Sequence, residues 1–266
     1  MERIAAAVCP TATPLVIEIG PGRGALTEKL LKRAARVIAI EVDPYLAEHL
    51  RRKFSAEPRL EVVQADVLAT NLAQWGPAPI AGNLPYYITS PILEKVLPLR
   101  VPRAVFLVQK EVAERLVAQP GCRSYGFLTV QTAVFAQARL LFEVKPAAFR
   151  PPPKVVSAAV LLEPQSLSVE DTGAFLRFAG LCFAHKRKTI RNNLAEVYGR
   201  DAVDAWPEAS LRAEQIPVQG LIEMFARAMG QPIAAADPHS SGSSRLKAGS
   251  RQDCLPHIGV RERKSL

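Results

Sequence analysis

Over residues 15–164 the apolar positions fall into short unbroken runs, separated by helix-period segments and by turns rich in glycine, proline and acids. Leu15-Val16-Ile17 reads as a buried strand that enters a glycine-rich turn, and residues 27–35 then read as a helix with Leu30 and Leu31 facing inward. Further apolar runs at 36–40, 60–63, 79–82 and 104–108 read as strands two to five, with helices expected over 44–54 and 92–97. Segments 139–144 and 156–162 read as closing strands. Strand and helix alternating in this way predict an α/β fold with a mostly parallel, doubly wound sheet. Ligands in such sheets bind beyond the carboxyl ends of the strands.

The pattern changes after Glu163-Pro164. Residues 170–230 lack β-branched runs and read as helices broken at Pro207 and Pro217, while the Ala-, Ser- and Gly-rich sequence from Pro232 onward has no periodicity and is expected to be disordered. Three parts follow: a first domain over 1–164, a small helical domain over 165–231, and a tail over 232–266. No internal repeat is present.

At 266 residues and 48% hydrophobic, the chain can bury one full α/β core and carry a smaller appendage. No run of eighteen apolar residues marks a membrane span, and the opening Met1-Glu2-Arg3-Ile4 does not read as a secretory signal. Cys9, Cys122, Cys182 and Cys254 are scattered without C-x-x-C spacing, which argues against structural zinc and a disulfide framework and fits a reducing cytoplasm. No metal site is expected. Residues 1–164 hold 20 basic and 14 acidic side chains, residues 165–232 hold 8 of each, and residues 233–266 hold 6 and 3, for a total of +9. A basic balance suggests a polyanionic partner, weakly on its own.

The candidate chemistry sits at successive strand ends. Glu18-Ile19-Gly20-Pro21-Gly22-Arg23-Gly24 follows the first strand, and Gly20 and Gly22 let the backbone pass close to a ligand. Glu41 ends the second strand, where a carboxylate can accept both hydroxyls of a ribose, and Asp66 follows the third, placed to reach an adenine edge. Nicotinamide enzymes use a similar turn and acid, so the loop leaves the cofactor open. The fourth strand decides. Asn83-Leu84-Pro85-Tyr86 follows it directly, and this order suits methyl transfer from S-adenosylmethionine to an aromatic amine. The N6 lone pair of adenine is delocalised into the ring, so that nitrogen is a poor nucleophile. Acceptors on its hydrogens, the Asn83 side-chain oxygen and a carbonyl near Leu84, favour a pyramidal nitrogen. Pro85 stiffens the turn, and Tyr86 offers a ring on which an extruded base can stack. No general base is needed, because the proton becomes acidic once the methyl group is on, and rate comes from alignment and electrostatics.

Ordered segments carry a resemblance from about Leu15 to Met229: EIGPGRGALTEKLL (18–31), VIAIEVD (37–43), QADVL (64–68), GNLPYYITSPIL (82–93), QKEVAERLVAQPGCRSYGFLTV (109–130), FRPPPKVVSAAV (149–160), HKRKTIRNNL (185–194) and LRAEQIPVQGLIEM (211–224). The chain resembles the small-subunit ribosomal RNA adenine N6,N6-dimethyltransferases, with the erythromycin-resistance methylases as more distant relatives; the last two segments favour the former. The resemblance implies a class I Rossmann-like methyltransferase sheet with a small C-terminal helical domain. It implies that Gly20, Gly22, Glu41, Asp66 and Asn83 line an S-adenosylmethionine site, that Asn83, Leu84, Pro85 and Tyr86 hold the target amine, and that Phe149 stacks on the other face of the flipped base. It also implies dimethylation of two adjacent adenosines in a hairpin loop near the 3′ end of small-subunit rRNA, within a pre-assembled subunit, by a cytoplasmic monomer. Family members begin with a basic arm carrying a G-Q-x-F-L segment that folds over the cofactor. The present sequence opens inside the helix that follows that arm, so weakened cofactor binding is expected of it.

Basic residues on two segments are candidates for RNA contact: Lys110, Arg115 and Arg123 on the first, and Lys186, Arg187, Lys188 and Arg191, expected on adjoining faces of one helix, on the second. A solvated basic face is the alternative for each. Two other functions stay open at this point: methylation of large-subunit rRNA at an antibiotic site, and a ribosome-assembly factor whose catalysis is secondary or impaired. A nicotinamide oxidoreductase is a distant third. His49 reads as a helix-surface residue, and Trp75 and Trp206 as packing residues.

Overall fold

The computed structural model describes residues 1–150, 152–165 and 167–230. The expected disordered tail lies outside the described residues. In chain order the elements are α1 (Glu2–Val8), β1 (Val16–Ile19), α2 (Thr27–Leu30), β2 (Val37–Glu41), α3 (Pro44–Lys53), β3 (Leu60–Gln64), β4 (Ile80–Asn83), α4 (Thr89–Val96), β5 (Ala104–Gln109), α5 (Lys110–Val117), α6 (Phe127–Phe135), β6 (Ala136–Val144), β7 (Ser157–Pro164), α7 (Thr172–Phe183), α8 (Ile190–Tyr198), α9 (Arg200–Asp204) and α10 (Val218–Ala228), joined in places by single 3₁₀ turns. Two compact units emerge, one of residues 1–117 and 132–167, the other of residues 118–131 and 168–230 among those described.

The first unit is built on a seven-stranded sheet of order β3-β2-β1-β4-β5-β7-β6. β1 to β5 pair in parallel, and in β1, β2, β4 and β5, which are covered on both faces, nearly every consecutive side chain is buried, whereas edge strand β3 leaves Glu61 and Gln64 exposed. Val16, Val37, Ala81, Val105 and Leu107 point to one face and join Ile4, Ala5 and Val8 of α1 and Leu30 of α2 in a single apolar cluster. The alternate residues Ile17, Ile38, Ile80 and Phe106 face the other way and are equally buried. The strand order reverses between β1 and β4, which opens a crevice at their carboxyl ends. β4 lies tight against β1 because Gly82 has no side chain; a Cβ there would come within 2.6 Å of the Ile19 carbonyl oxygen and 2.9 Å of Leu84 Cδ2.

One element departs from the sequence expectation. The helix expected over 27–35 stops at Leu30. Residues 33–35 pair with Thr13 instead: Thr13 donates its N–H to the Arg33 carbonyl at 3.1 Å, and Ala35 donates to the Thr13 carbonyl at 2.8 Å. The last strand in the chain does not lie at the edge. β7 inserts between β5 and β6 and runs antiparallel to both, so residues 145–156, which join β6 to β7, begin and end beside the carboxyl end of β5.

The second unit is helical. Phe175 and Phe178 of α7, Tyr198 of α8, Trp206 after α9, and Phe225 of α10 form a chain of ring contacts with centroids 5.7–6.5 Å apart. Such edge and tilted pairs add stability beyond the apolar area they bury, and Trp206 is a packing residue. Tyr125 is buried and donates its hydroxyl to the Ile216 carbonyl at 2.9 Å; burial pushes its phenol above the ordinary range. Cys9 and Cys182 are free and buried. Among the described residues no helix is long and apolar enough to cross a membrane, and no cluster of His, Cys, Asp and Glu could hold a metal ion.

Candidate active site

The crevice at the strand reversal holds a cavity of about 420 Å³, lined along one side by the β1–α2 and β2–α3 connections and along the other by the residues after β4. The chain leaves β1 through Gly20 (φ 68°) and Gly22 (φ 57°), a left-handed backbone in which a side chain would be strained. This path turns the Gly22 N–H toward the end of β2, where Glu41 Oε2 accepts it at 3.0 Å. Glu41 Oε1 accepts the Asp43 N–H at 3.0 Å. A carboxylate has about four acceptor sites, so two backbone donors orient Glu41 and leave capacity for ligand hydroxyls. Asp43 in turn caps α3, accepting from the N–H groups of Tyr45 and Leu46. Asp66 lies exposed at the rim; its Oδ1 accepts the Leu68 N–H at 2.8 Å.

Opposite the glycine loop, β4 ends at Asn83, and Leu84 is tied to β5 by its N–H, donated to the Leu107 carbonyl at 3.0 Å. Leu84 is buried, whereas Asn83, Pro85 and Tyr86 are partly exposed to the cavity. Pro85 (φ −59°) opens a 3₁₀ turn over Tyr86–Ile88, and Thr89 Oγ1 donates to the Pro85 carbonyl at 3.0 Å. The Tyr86 hydroxyl meets Ser157 Oγ at 2.6 Å, which fixes the direction of its ring. Phe149 and Pro153, from the β6–β7 connection, complete the wall. The structure thus brings together Gly20, Gly22, Glu41, Asp66, Asn83, Leu84, Pro85, Tyr86 and Phe149 around one cavity. Ser157 escaped sequence reading. The FRPPPKVVSAAV segment gave a signal for its neighbourhood, but only the insertion of β7 beside β5 sets it next to Tyr86.

Beneath the loop, Glu18 is 1% exposed and its Oε2 accepts from Thr27 Oγ1 at 2.6 Å. Burial pushes its carboxyl up to about 7, against the lowering effect of the Thr27 hydrogen bonds and with a smaller push from Glu41. From pH 4.5, its ordinary value, to about 7, the unfolded chain has released this proton while the folded chain retains it. Stability therefore falls as pH rises through that window and levels off above it. At about 1.4 kcal/mol per pH unit the loss is about 3 kcal/mol at most. Glu18→Gln carries no ionisable group there and should match the wild type in thermal melts at pH 4.5 but exceed it at pH 8. A difference constant across pH would refute this account.

The basic candidates are distributed differently from expectation. Lys186, Arg187 and Lys188 are exposed, but they lie in the turn between α7 and α8 rather than on a helix; Asn193 Nδ2 holds that turn by donating to the Cys182 and His185 carbonyls at 2.8 and 3.3 Å. Lys186 Nζ donates to the Arg123 carbonyl at 2.6 Å. Arg191 is helical and pairs with Asp204. In the first unit Lys110 pairs with Glu143 at 2.7 Å and Arg115 with Glu111. Phosphate contact by these three would have to compete with the carboxylates already in place.

Comparison with known proteins agrees with this geometry. Two relatives, each named ribosomal RNA small subunit methyltransferase A, are 39% and 40% identical. The first, from Chlorobium luteolum, aligns over 89% of this chain and 87% of its own length; the second, from Thermotoga petrophila, aligns over 85% of each. A crystal structure of the 23S rRNA methyltransferase ErmE superposes with a TM-score of 0.65 at 31% identity, covering 84% of this chain and 96% of its own. A dimethyladenosine transferase from Plasmodium falciparum superposes with a TM-score of 0.74 over 88% of this chain and 97% of its own, and at 24% identity it shows the shared fold. The ribosomal RNA adenine dimethylase family matches residues 1–225. With the match spanning both units and the whole lining of the cavity, the chain belongs to the ribosomal RNA adenine dimethylase family.

Proposed function

We propose that this S-adenosylmethionine-dependent rRNA adenine dimethyltransferase modifies two adjacent adenosines in the 3′-terminal hairpin loop of small-subunit rRNA, acting as a cytoplasmic monomer on a pre-assembled subunit. The observation that carries the reading is the single cavity shared by a glycine loop with an oriented carboxylate, Glu41, and by the Asn83-Leu84-Pro85-Tyr86 turn. The first set suits a nucleoside cofactor; the second suits a flat base bearing an amine. The relatives at about 40% identity carry the small-subunit name, whereas the large-subunit enzyme stands at 31%, which supports the smaller subunit as substrate. A cavity lined by both of these sets also favours an enzyme over a binding-only assembly factor.

S-adenosylmethionine, when bound, supplies an electrophilic methyl group. Gly20 and Gly22 bring backbone close to it, Glu41 accepts ribose hydroxyls, and Asp66 is placed for the adenine edge. Asn83 Oδ1 and the Leu84 carbonyl accept the N6 hydrogens and draw the lone pair out of the ring. Tyr86, fixed by Ser157, and Phe149 clamp the flipped base between two rings, so that rate comes from alignment. The exposed turn of Lys186, Arg187 and Lys188 contacts phosphates, which assigns RNA binding to the helical region over 165–231.

Methyl transfer from tritiated cofactor to unmethylated small and large subunits, followed by digestion and mapping, tests the reading. Dimethyladenosine should appear at two adjacent positions of the small-subunit rRNA; labelling confined to the large subunit would refute it. Replacing Lys186, Arg187 and Lys188 together with alanine should lower the salt slope of subunit binding by about 2. An unchanged slope would remove that turn from the interface.

A further inference from the structure

Tyr86 and Tyr87 are consecutive and line the same cavity, yet their surroundings are opposite. The Tyr86 hydroxyl is tied to Ser157. Tyr87 is 83% exposed, although it too contributes to the cavity wall. The backbone beneath it is held firmly: Pro85 fixes the entry, Ile88 donates its N–H to the Pro85 carbonyl at 3.2 Å, and Thr89 Oγ1 donates to the same oxygen at 3.0 Å. The ring is therefore displayed at the cavity mouth from a rigid turn, most of its surface open to solvent. Exposure on this scale means that the ring adds little to the stability of the fold.

A displayed aromatic ring beside a cavity for one base has an evident match in an unpaired nucleotide. RNA-binding proteins hold single-stranded bases by stacking them on aromatic side chains, a contact tolerant of base identity. Modification of two adjacent adenosines creates a specific need for such a contact. While one adenine occupies the cavity, its neighbour lies just outside, unpaired and unstacked, and the two must exchange places.

We infer that Tyr87 is a stacking platform for the adenine next to the one being methylated, and that it promotes completion of both adenosines. This rests on the two-adenosine reading above. Tyr86 and Phe149 hold the reacting base; Tyr87 holds the waiting one.

The test uses the full chain, unmethylated small subunits, and the variants Tyr87→Ala, Tyr87→Phe and Tyr87→Trp. Rates of methyl transfer, cofactor affinity by calorimetry, and the methylation state of each adenosine by mass spectrometry are read together. Tyr87→Ala should lower kcat/KM by about 5- to 100-fold and should accumulate rRNA in which one adenosine is dimethylated and its neighbour is unmodified. Tyr87→Phe and Tyr87→Trp keep a ring to stack on and should restore both rate and completion. Cofactor affinity should be the same in all four proteins. Complete dimethylation at the wild-type rate by Tyr87→Ala would overturn the inference. So would a loss of cofactor affinity matching the loss of rate, which would make the ring a cofactor cover. A wild-type chain that modifies one adenosine, or none, would instead refute the reading beneath it, since no neighbouring base would then await its turn.

Discussion

Asn83→Ala should lower kcat for methyl transfer by about 10²- to 10³-fold, the scale seen when one preorganised polar group is removed from a reacting centre. Asn83 ends β4 in register with Leu107 of β5, so its side chain emerges from paired strand rather than from a loose loop. Its oxygen is asked to accept a hydrogen from N6 most strongly as the nitrogen becomes pyramidal, an interaction that belongs to the transition state more than to the bound substrate. The loss should therefore fall on kcat, with KM for the subunit little changed. Cofactor affinity should fall by less, because Glu41 and the glycine loop remain. Asn83→Asp keeps an acceptor oxygen and should retain more activity than the alanine variant. Single-turnover kinetics on unmethylated subunits would check this; a kcat within about threefold of wild type would remove Asn83 from the chemistry.

Glu41→Ala should weaken binding of S-adenosylmethionine by about 10- to 150-fold. The carboxylate is only 6% exposed and is pre-oriented by the Gly22 and Asp43 N–H groups at 3.0 Å each, so a ligand hydroxyl meets a charged acceptor that needs no further ordering. Charge-assisted hydrogen bonds of this kind contribute about 1.5–3 kcal/mol, and each 1.4 kcal/mol is about tenfold in affinity. Removing the side chain also leaves the Gly22 N–H without its acceptor, which frees the loop that must approach the cofactor. Glu41→Gln should fall between, since an amide presents one oxygen and one NH₂ to two donors. Calorimetric titration alongside a thermal melt separates lost binding from lost folding. An unaltered affinity in a folded Glu41→Ala protein would place the ribose elsewhere.

Much of this site is legible in the sequence, for a physical reason. In a doubly wound parallel sheet the functional groups sit where strands end, and strand ends are marked by abrupt changes from apolar runs to glycine or acid. Gly20, Glu41, Asp66 and Asn83 each stand at such a change, and all line one cavity. What escaped depends on spatial order rather than on local pattern. Ser157 looks like any small residue at the start of a strand until β7 is found between β5 and β6. The early end of α2 follows from pairing of residues 33–35 with Thr13, a contact that no helical periodicity reveals. The basic run at 186–188 has helical composition, yet it forms a turn whose carbonyls are held by Asn193.

The division of the cavity wall has an evolutionary consequence. In the proposed function the cofactor side is assembled from the connections that follow β1, β2 and β3, and the base side from the turn after β4 and the β6–β7 connection, all of which line the cavity. These are separate stretches of chain, and they meet where Gly20 approaches Asn83 and Pro85. Sequence drift in residues 145–156 can reshape which nucleotide is admitted without disturbing the grip on the methyl donor. One ancestral scaffold could thus diversify toward different ribosomal targets by altering a single connection, with its energy source and chemistry inherited intact.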